Sequence, residues 1–444
     1  MNRLKKLFVP VDMTVGKPWE DIVIFTVPML IGNIAQQLYN TVDSVVVGQF
    51  VGDNALAAVG SAGPILNLLI VLFVGISVGA SIMVSQYLGA RNKEALSMTI
   101  GTCIVLTGIA SLLVMVFATV AARPMLKLLN TPASIIDWCT SYLRIFFIGV
   151  AGCAYYNILS GILRGLGDSM SALFYLLAAS GLNIVLDLFF VVQMDMGVAG
   201  VALATAIAQG FSAFLCLWRL AKLKELFELK WKYIRLFKSH VKNIIRLGVP
   251  SGVTQAIMSM SMLVVQSLTN SFGEMFIAAN VIVMRVDGFA MMPNFSFGTA
   301  MTTYAGQNVG AGKYDRVAKG ARQGTAIAVG TAAVIVVLIL AFGKRLMQIF
   351  TDTSELVGLS MNMMRILAVG YVAVAVTQTL SGVMRGAGDT MTPMWISMVT
   401  TVLIRVPLAY GLVYLTKTPQ LPQGERASLF ISLLISWVLG AVIT

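Results

Sequence analysis

The chain has 444 residues, of which 58% are hydrophobic and 11% charged, with a mean hydropathy of +0.86. Soluble chains carry about 25% charged residues, so the polar residues here are too few for a water-facing surface, and the apolar content excludes disorder. The formal charge of +12 raises nucleic acid as a partner, but its placement along the chain argues for a membrane.

Residues 1–20 are polar and basic. They lack the short apolar core and small-residue cleavage site of a signal peptide and read as a cytoplasmic tail. A membrane span needs about 20 mainly apolar residues. Twelve such stretches follow, at 21–46, 55–85, 97–121, 135–161, 170–193, 198–218, 246–270, 277–305, 321–342, 356–382, 392–415 and 428–444. The last is short and no basic tail follows it, which leaves open that the chain runs on past Thr444. The segment 219–245 is the one long charged connection. It divides an N-lobe, 21–218, from a C-lobe, 246–444. With the N-terminus inside, 21 of the 31 lysines and arginines fall in cytoplasmic segments and six in outer loops. This positive-inside bias places both termini in the cytoplasm of a multi-pass cell-membrane protein. The expected fold class is therefore all-α integral membrane, with twelve transmembrane helices.

The two lobes are one unit written twice. LSGILRGLGDSM (159–170) recurs as LSGVMRGAGDTM (380–391), an offset of 221 residues with eight of twelve positions identical. The same offset pairs QYLGARN (86–92) with QNVGAGK (307–313) and Arg144 with Arg365, and Pro28 pairs with Pro250 at 222. Six spans per half give both halves the same orientation, so the lobes are parallel repeats. In the Arg-Gly-x-Gly-Asp turns, glycine permits a tight reversal and the aspartate can cap the next helix. No G-x-x-x-x-G-K-[S/T] phosphate loop occurs, which argues against an ATP-driven pump.

Hydropathy places three carboxylates deep in spans: Asp43, Asp187 and Asp287. A charge there costs about 2.5–3.5 kcal/mol, so function is the first hypothesis. Asn183 precedes Asp187 by four residues and Tyr39 precedes Asp43 by four, each pair on one helix face. Thr205 and Asn157 add oxygen donors from the sixth and fourth spans. Such a set binds a hard cation such as Na⁺, or holds a protonated carboxyl. No other metal site is expected. The repeat offsets take Asp187 to Leu408, Asn183 to Ile404 and Asp43 to Val265. A purely scaffolding role would recur in both halves, so the asymmetry points to one coupling-ion site in the N-lobe. Arg285 and Asp287 sit two residues apart, off a common face. They either line the interior and meet substrate or neutralise each other through a bend. Prolines within spans (Pro28, Pro64, Pro250, Pro293 and Pro407) are candidate kinks.

Methionines within spans are mostly packing, with Met258, Met260, Met262, Met291 and Met292 as candidates for an adaptable wall facing hydrophobic ligands. The four cysteines (Cys103, Cys139, Cys153 and Cys216) match no metal or disulfide pattern and read as small buried apolar residues. The single histidine, His240, reads as a solvated linker residue. Nothing accompanies it to build an enzyme site.

The series PMLIGNIAQQLYNTVDSVVVG (28–48), SQYLGARN, LRGLGDS and NIVLD (183–187), with FGTAMTTYAGQNVGAGK (297–313), MRGAGDT (384–390) and RVPLAY (405–410), resembles the MATE family of multidrug and toxic compound extrusion transporters over nearly the whole chain. The resemblance implies a V-shaped pair of six-helix bundles alternating between inward-open and outward-open states. It implies export of organic cations and other amphipathic drugs in exchange for H⁺ or Na⁺, without a cofactor, by a monomer whose partners are substrate and lipid. In DinF-like members the coupling site lies in the N-lobe. Asp43, Tyr39, Asn157, Asn183, Asp187 and Thr205 match that pattern. NorM-like members also carry acidic residues in spans seven and ten, where this chain has Met258 and Val374. The alternative is a flippase for lipid-linked oligosaccharides from the same superfamily, since fold does not set substrate.

Overall fold

The computed structural model describes residues 9–129, 131–419 and 421–444. Arg3, Lys5 and Lys6, part of the predicted cytoplasmic charge, lie outside the described residues. A chain this apolar must satisfy its peptide groups internally when it leaves water, and helices do so within one segment. The described residues accordingly form helices, and their one extended pairing is an isolated bridge between Thr418 and Leu421.

In the first half these are α1 (Pro18–Val46), α2 (Asp53–Gly89), α3 (Lys93–Leu128), α4 (Ile136–Ile148), α5 (Val150–Gly165), α6 (Ser169–Asp187) and α7 (Gly197–Lys222). In the second they are α8 (Lys238–Asn270), α9 (Glu274–Gly310), α10 (Tyr314–Gln348), α11 (Ser354–Ala387), α12 (Met391–Ser397), α13 (Arg405–Leu415) and α14 (Ala427–Ile443). Among the described residues, ten helical segments are long and apolar enough to cross a membrane. An eleventh crossing is α4 with α5, bent by 53°, and α14 is a shorter apolar helix. Among the described residues the architecture is all-α, and these segments with α14 are consistent with the twelve spans that hydropathy predicted.

Three crossings contain π turns, at Val47–Val51, Leu188–Gln193 and Met398–Ile404. The last has a visible cause. Pro407 has no N–H for the carbonyl of Leu403, four residues back, so the regular ladder cannot run through this point. The bend between α4 and α5 falls at Gly149, where a Cβ would strike Ala206 of α7.

The repeated turns behave as their residues require. Gly167 and Gly388 have φ of 84° and 98°, the left-handed region that glycine enters without steric cost. Asp168 then caps α6 by accepting from Ser171 N at 3.1 Å, and Asp389 accepts from Thr392 N at 3.0 Å. Gly165 and Gly386 close the helices before these turns, against neighbours that are themselves one repeat apart. A Cβ on Gly165 would come within 2.7 Å of Ser81 O, and one on Gly386 would meet Thr302 O.

Contacts divide the chain into two compact units. The first holds Val27–Gly252 with short stretches at 9–12 and Gly310–Gly312. The second holds Met13–Thr26, Val253–Val309 and Lys313–Thr444. The divide therefore falls within α1, just before Pro28, and within α8, just after Pro250, rather than at the ends of the connecting segment.

Both exchanges have local causes. In the second unit, Met13 N donates to Gln307 Oε1 at 2.9 Å, and Asn308 Nδ2 donates to Met13 O at 3.0 Å. Lys313 Nζ reaches Thr14 O at 2.8 Å. Arg316 donates to the carbonyls of Val15 and Gly16 at 2.6 and 2.8 Å and pairs with Asp21 at 2.8 Å. In the first unit the connection before α8 is held on α3. Glu228 N donates to Ser97 Oγ at 2.9 Å, and Thr102 Oγ1 donates to Arg235 O at 3.3 Å. Phe227 and Tyr233 are buried there. His240 is 9% exposed, within α8 and against the rings of Tyr87 and Phe237 at 5.9 and 5.8 Å. The expectation of a solvated linker histidine is thus corrected. The aromatic residues of the connection draw it onto the first unit and take His240 with them.

The four cysteines are buried and unpaired, as expected of small apolar residues.

Candidate functional site

The first unit gathers a polar cluster where α1, α6 and α7 meet. Asp187 ends α6 immediately before the π turn Leu188–Gln193, and Asp43 stands one helical turn before the π turn Val47–Val51. Such turns widen a helix locally and recur at functional sites. Asp187 and Asn183 are fully buried, and Tyr39 and Thr205 nearly so. With its amide nitrogen toward the carboxylates, Asn183 donates to Asp43 Oδ1 at 2.8 Å and to Asp187 Oδ2 at 3.0 Å. Its oxygen accepts from Thr205 N at 3.3 Å. Asp43 and Asp187 are thus bridged by one amide nitrogen and close enough to interact electrostatically, as is Tyr39 with Asp43. Tyr39 also donates to Thr205 Oγ1 at 3.5 Å. Asp187 Oδ1 is buried without a hydrogen-bond partner among the described residues.

This arrangement has one clear chemical capacity. Two carboxylates this close repel each other in a medium of low dielectric. A proton shared between them, or a small cation bound by both, removes the repulsion. Asn183 is fixed on both sides, so it ties any change at the carboxylates on α1 and α6 to the backbone of α7.

The remaining candidate residues form no hydrogen bond to this cluster among the described residues. Asn157, on α5, donates to its own helix at Cys153 O, 2.8 Å away. Met260 and Met262 are 67% and 45% exposed, Met291 is buried, and Met258 and Met292 are half-buried. Arg285 is exposed. Asp287 instead accepts from the Tyr371 hydroxyl at 2.9 Å, and the positive charge acting on it is Arg405.

Tyr142 of α4 is a neighbour that the sequence reading missed. It is 7% exposed and close enough to interact electrostatically with both Asp43 and Asp187. The repeat carried the signal, since the 221-residue offset takes Tyr142 to Met363. Its polar group belongs to one half only, like those of Asp43 and Asp187.

Comparison with known proteins agrees with the duplication. A family profile described as MatE matches the chain twice, over residues 28–189 and 250–411. The chain is 29% identical to the probable multidrug resistance protein YoeA of Bacillus subtilis (strain 168), covering 94% of this chain and 92% of that protein. It is 24% identical to the probable multidrug resistance protein NorM of Thermotoga maritima, over 89% of this chain and 85% of the relative. A solved structure described as the outward-facing conformation of a multidrug resistance MATE family transporter superposes with a TM-score of 0.89 at 26% identity. That match covers 98% of this chain and 96% of the other.

Proposed function

The chain belongs to the MatE family, and on that premise we propose that it is a secondary antiporter of the cell membrane. It exports amphipathic, often cationic compounds in exchange for H⁺ or Na⁺, with both termini in the cytoplasm, acting as a single chain. The observation that carries the mechanism is the buried contact of Asp43, Asn183, Asp187 and Thr205 within the first unit.

The coupling ion enters at Asp187 and Asp43. In the arrangement described, the donor nitrogen of Asn183 faces both carboxylates. With the nitrogen inward both carboxylates act as acceptors, and a proton shared between them is one way to relieve their repulsion. Bound Na⁺ needs oxygens around it, so sodium coupling requires the Asn183 amide to turn and present its oxygen. Charging and discharging the pair changes what Asn183 and Tyr39 can donate to. The positions of α1, α6 and α7 respond. Exchange needs only that ion and drug favour different conformations.

The deciding experiment is ethidium transport by the full chain in proteoliposomes, under H⁺ and Na⁺ gradients imposed separately. Transport driven by one gradient and not the other names the ion. Failure of either gradient to drive any of several amphipathic cations, with folded protein, rejects the antiporter reading. Restoration of a cell lacking its lipid-linked oligosaccharide flippase would then identify the chain as a flippase.

A further inference from the structure

The second unit holds a polar cluster of its own. Asp287 of α9 and Tyr371 of α11 are bonded within it, and Arg405, at the start of α13 after the π turn Met398–Ile404, is near enough to act electrostatically on Asp287. Tyr371 is fully buried with its ring 6.0 Å from that of Trp437, so its hydroxyl is held in place. That hydroxyl donates to Asp287 Oδ1 at 2.9 Å and also lies 3.2 Å from Met364 Sδ.

Arg405 is the positive charge that acts on Asp287, yet it forms none of the ion pairs among the described residues. Its Nε is buried without a hydrogen-bond partner. A buried guanidinium donor left unpaired is costly. A charged residue within a membrane segment marks a functional site unless it is paired. The usual escape, a two-pronged arginine–carboxylate pair, is not taken here, because Tyr371 engages Asp287 instead.

Scaffolding does not account for the cluster. The repeat offset takes Asp287 to Leu66, Tyr371 to Val150 and Arg405 to Ile184, all apolar. The duplicated fold is built in the first half without these groups. What the second half holds is one positive and one negative group, close enough to interact and kept from neutralising each other.

We propose that this cluster is a substrate site for zwitterionic amphiphiles, in which Arg405 receives the carboxylate of the ligand and Asp287 its cationic group. Tyr371 is a positioning residue that fixes the Asp287 carboxyl. This rests on the transporter reading for its purpose, but it is tested by binding, without any gradient.

The probes are rhodamine B, which carries a carboxylate and a delocalised cation, and its ethyl ester, which has the same ring system and no carboxylate. Binding to the purified full chain in detergent is followed by fluorescence polarisation. Wild type is expected to bind rhodamine B more tightly than the ester. Arg405→Gln is expected to weaken rhodamine B by about tenfold or more, the scale of one charge-assisted hydrogen bond. It should leave the ester within about twofold. Asp287→Asn is expected to weaken both dyes, since both carry the cation. Equal loss of both dyes in Arg405→Gln, or an unchanged affinity for rhodamine B, overturns the proposal. The wild-type preference needs no variant, so its absence overturns the proposal even if Arg405→Gln does not fold. A failure of the antiporter reading registers separately, as lost gradient-driven transport with the dye preference intact.

Discussion

Replacing Asp187 by asparagine separates folding from coupling, because the two side chains have the same shape. Asn183 donates to Asp187 Oδ2 at 3.0 Å, and the carbonyl oxygen of the new amide can accept that bond. A hydrogen bond to a charged group is worth about 1.5–3 kcal/mol and a neutral one about 1 kcal/mol, so the direct loss is about 0.5–2 kcal/mol. The new amide nitrogen faces the region of Asp187 Oδ1, which is buried without a partner, and it can donate to Asp43. The fold should survive with a small fall in melting temperature. Coupling should not survive, because an amide neither takes up nor releases a proton in this range and offers no charge to Na⁺. Coupling free energies of about 1–3 kcal/mol correspond to factors of about 5–150. Gradient-driven ethidium accumulation in proteoliposomes is therefore expected to drop by at least about fivefold. Equilibrium binding of ethidium in detergent should change by less than about threefold. Accumulation at the wild-type rate, from equal amounts of folded variant, would refute the assignment of this pair as the coupling site.

Asn183→Leu removes the donor shared by Asp43 and Asp187. It should lower thermal stability by several kcal/mol, from two lost charge-assisted bonds of about 1.5–3 kcal/mol each. An unaltered melting curve would contradict the geometry. Gly165→Val and Gly386→Val push side chains into the facing backbone at Ser81 and Thr302. Each should cost about 1–3 kcal/mol in thermal denaturation, and a large difference between the two would argue against equivalent packing in the halves. Arg316→Ala releases the carbonyls of Val15 and Gly16 together with Asp21. Limited proteolysis ahead of α1 should accelerate by about tenfold or more as this stretch opens locally, and an unchanged cleavage rate would deny Arg316 that role.

The crossings were legible because apolar length is a property of composition, and a bilayer leaves little choice of structure to such a segment. The turns were legible because Gly167 with Asp168, and Gly388 with Asp389, recur in both halves with the residue types that a left-handed reversal and a helix cap require. The break between α4 and α5 was not legible. It rests on the approach of Gly149 to Ala206 in another helix, and hydropathy runs smoothly across it. His240 was misread because charge surrounds it in sequence, while the aromatic residues that bury it act through contacts with Tyr87 and Phe237. At the candidate site, spacing of four residues put Asn183 with Asp187 and Tyr39 with Asp43, but nothing local joined the two helices. Asking which polar residues turn apolar in the other half would have added Tyr142, Tyr371 and Arg405.

The anchoring of residues 13–16 has a consequence for biosynthesis. Met13 and Asn308, which bond in the finished second unit, are 295 residues apart. At about 5–20 residues per second, the ribosome needs about 15–60 s to reach the second after making the first. Throughout that interval this stretch lacks its native acceptors and donors, while the helices of the first half can insert and pack. Residues made ahead of the first crossing are thus among the last to find their place. A stalled or truncated product ending before Gln307 would leave them undocked, a state that proteases and quality-control factors can recognise.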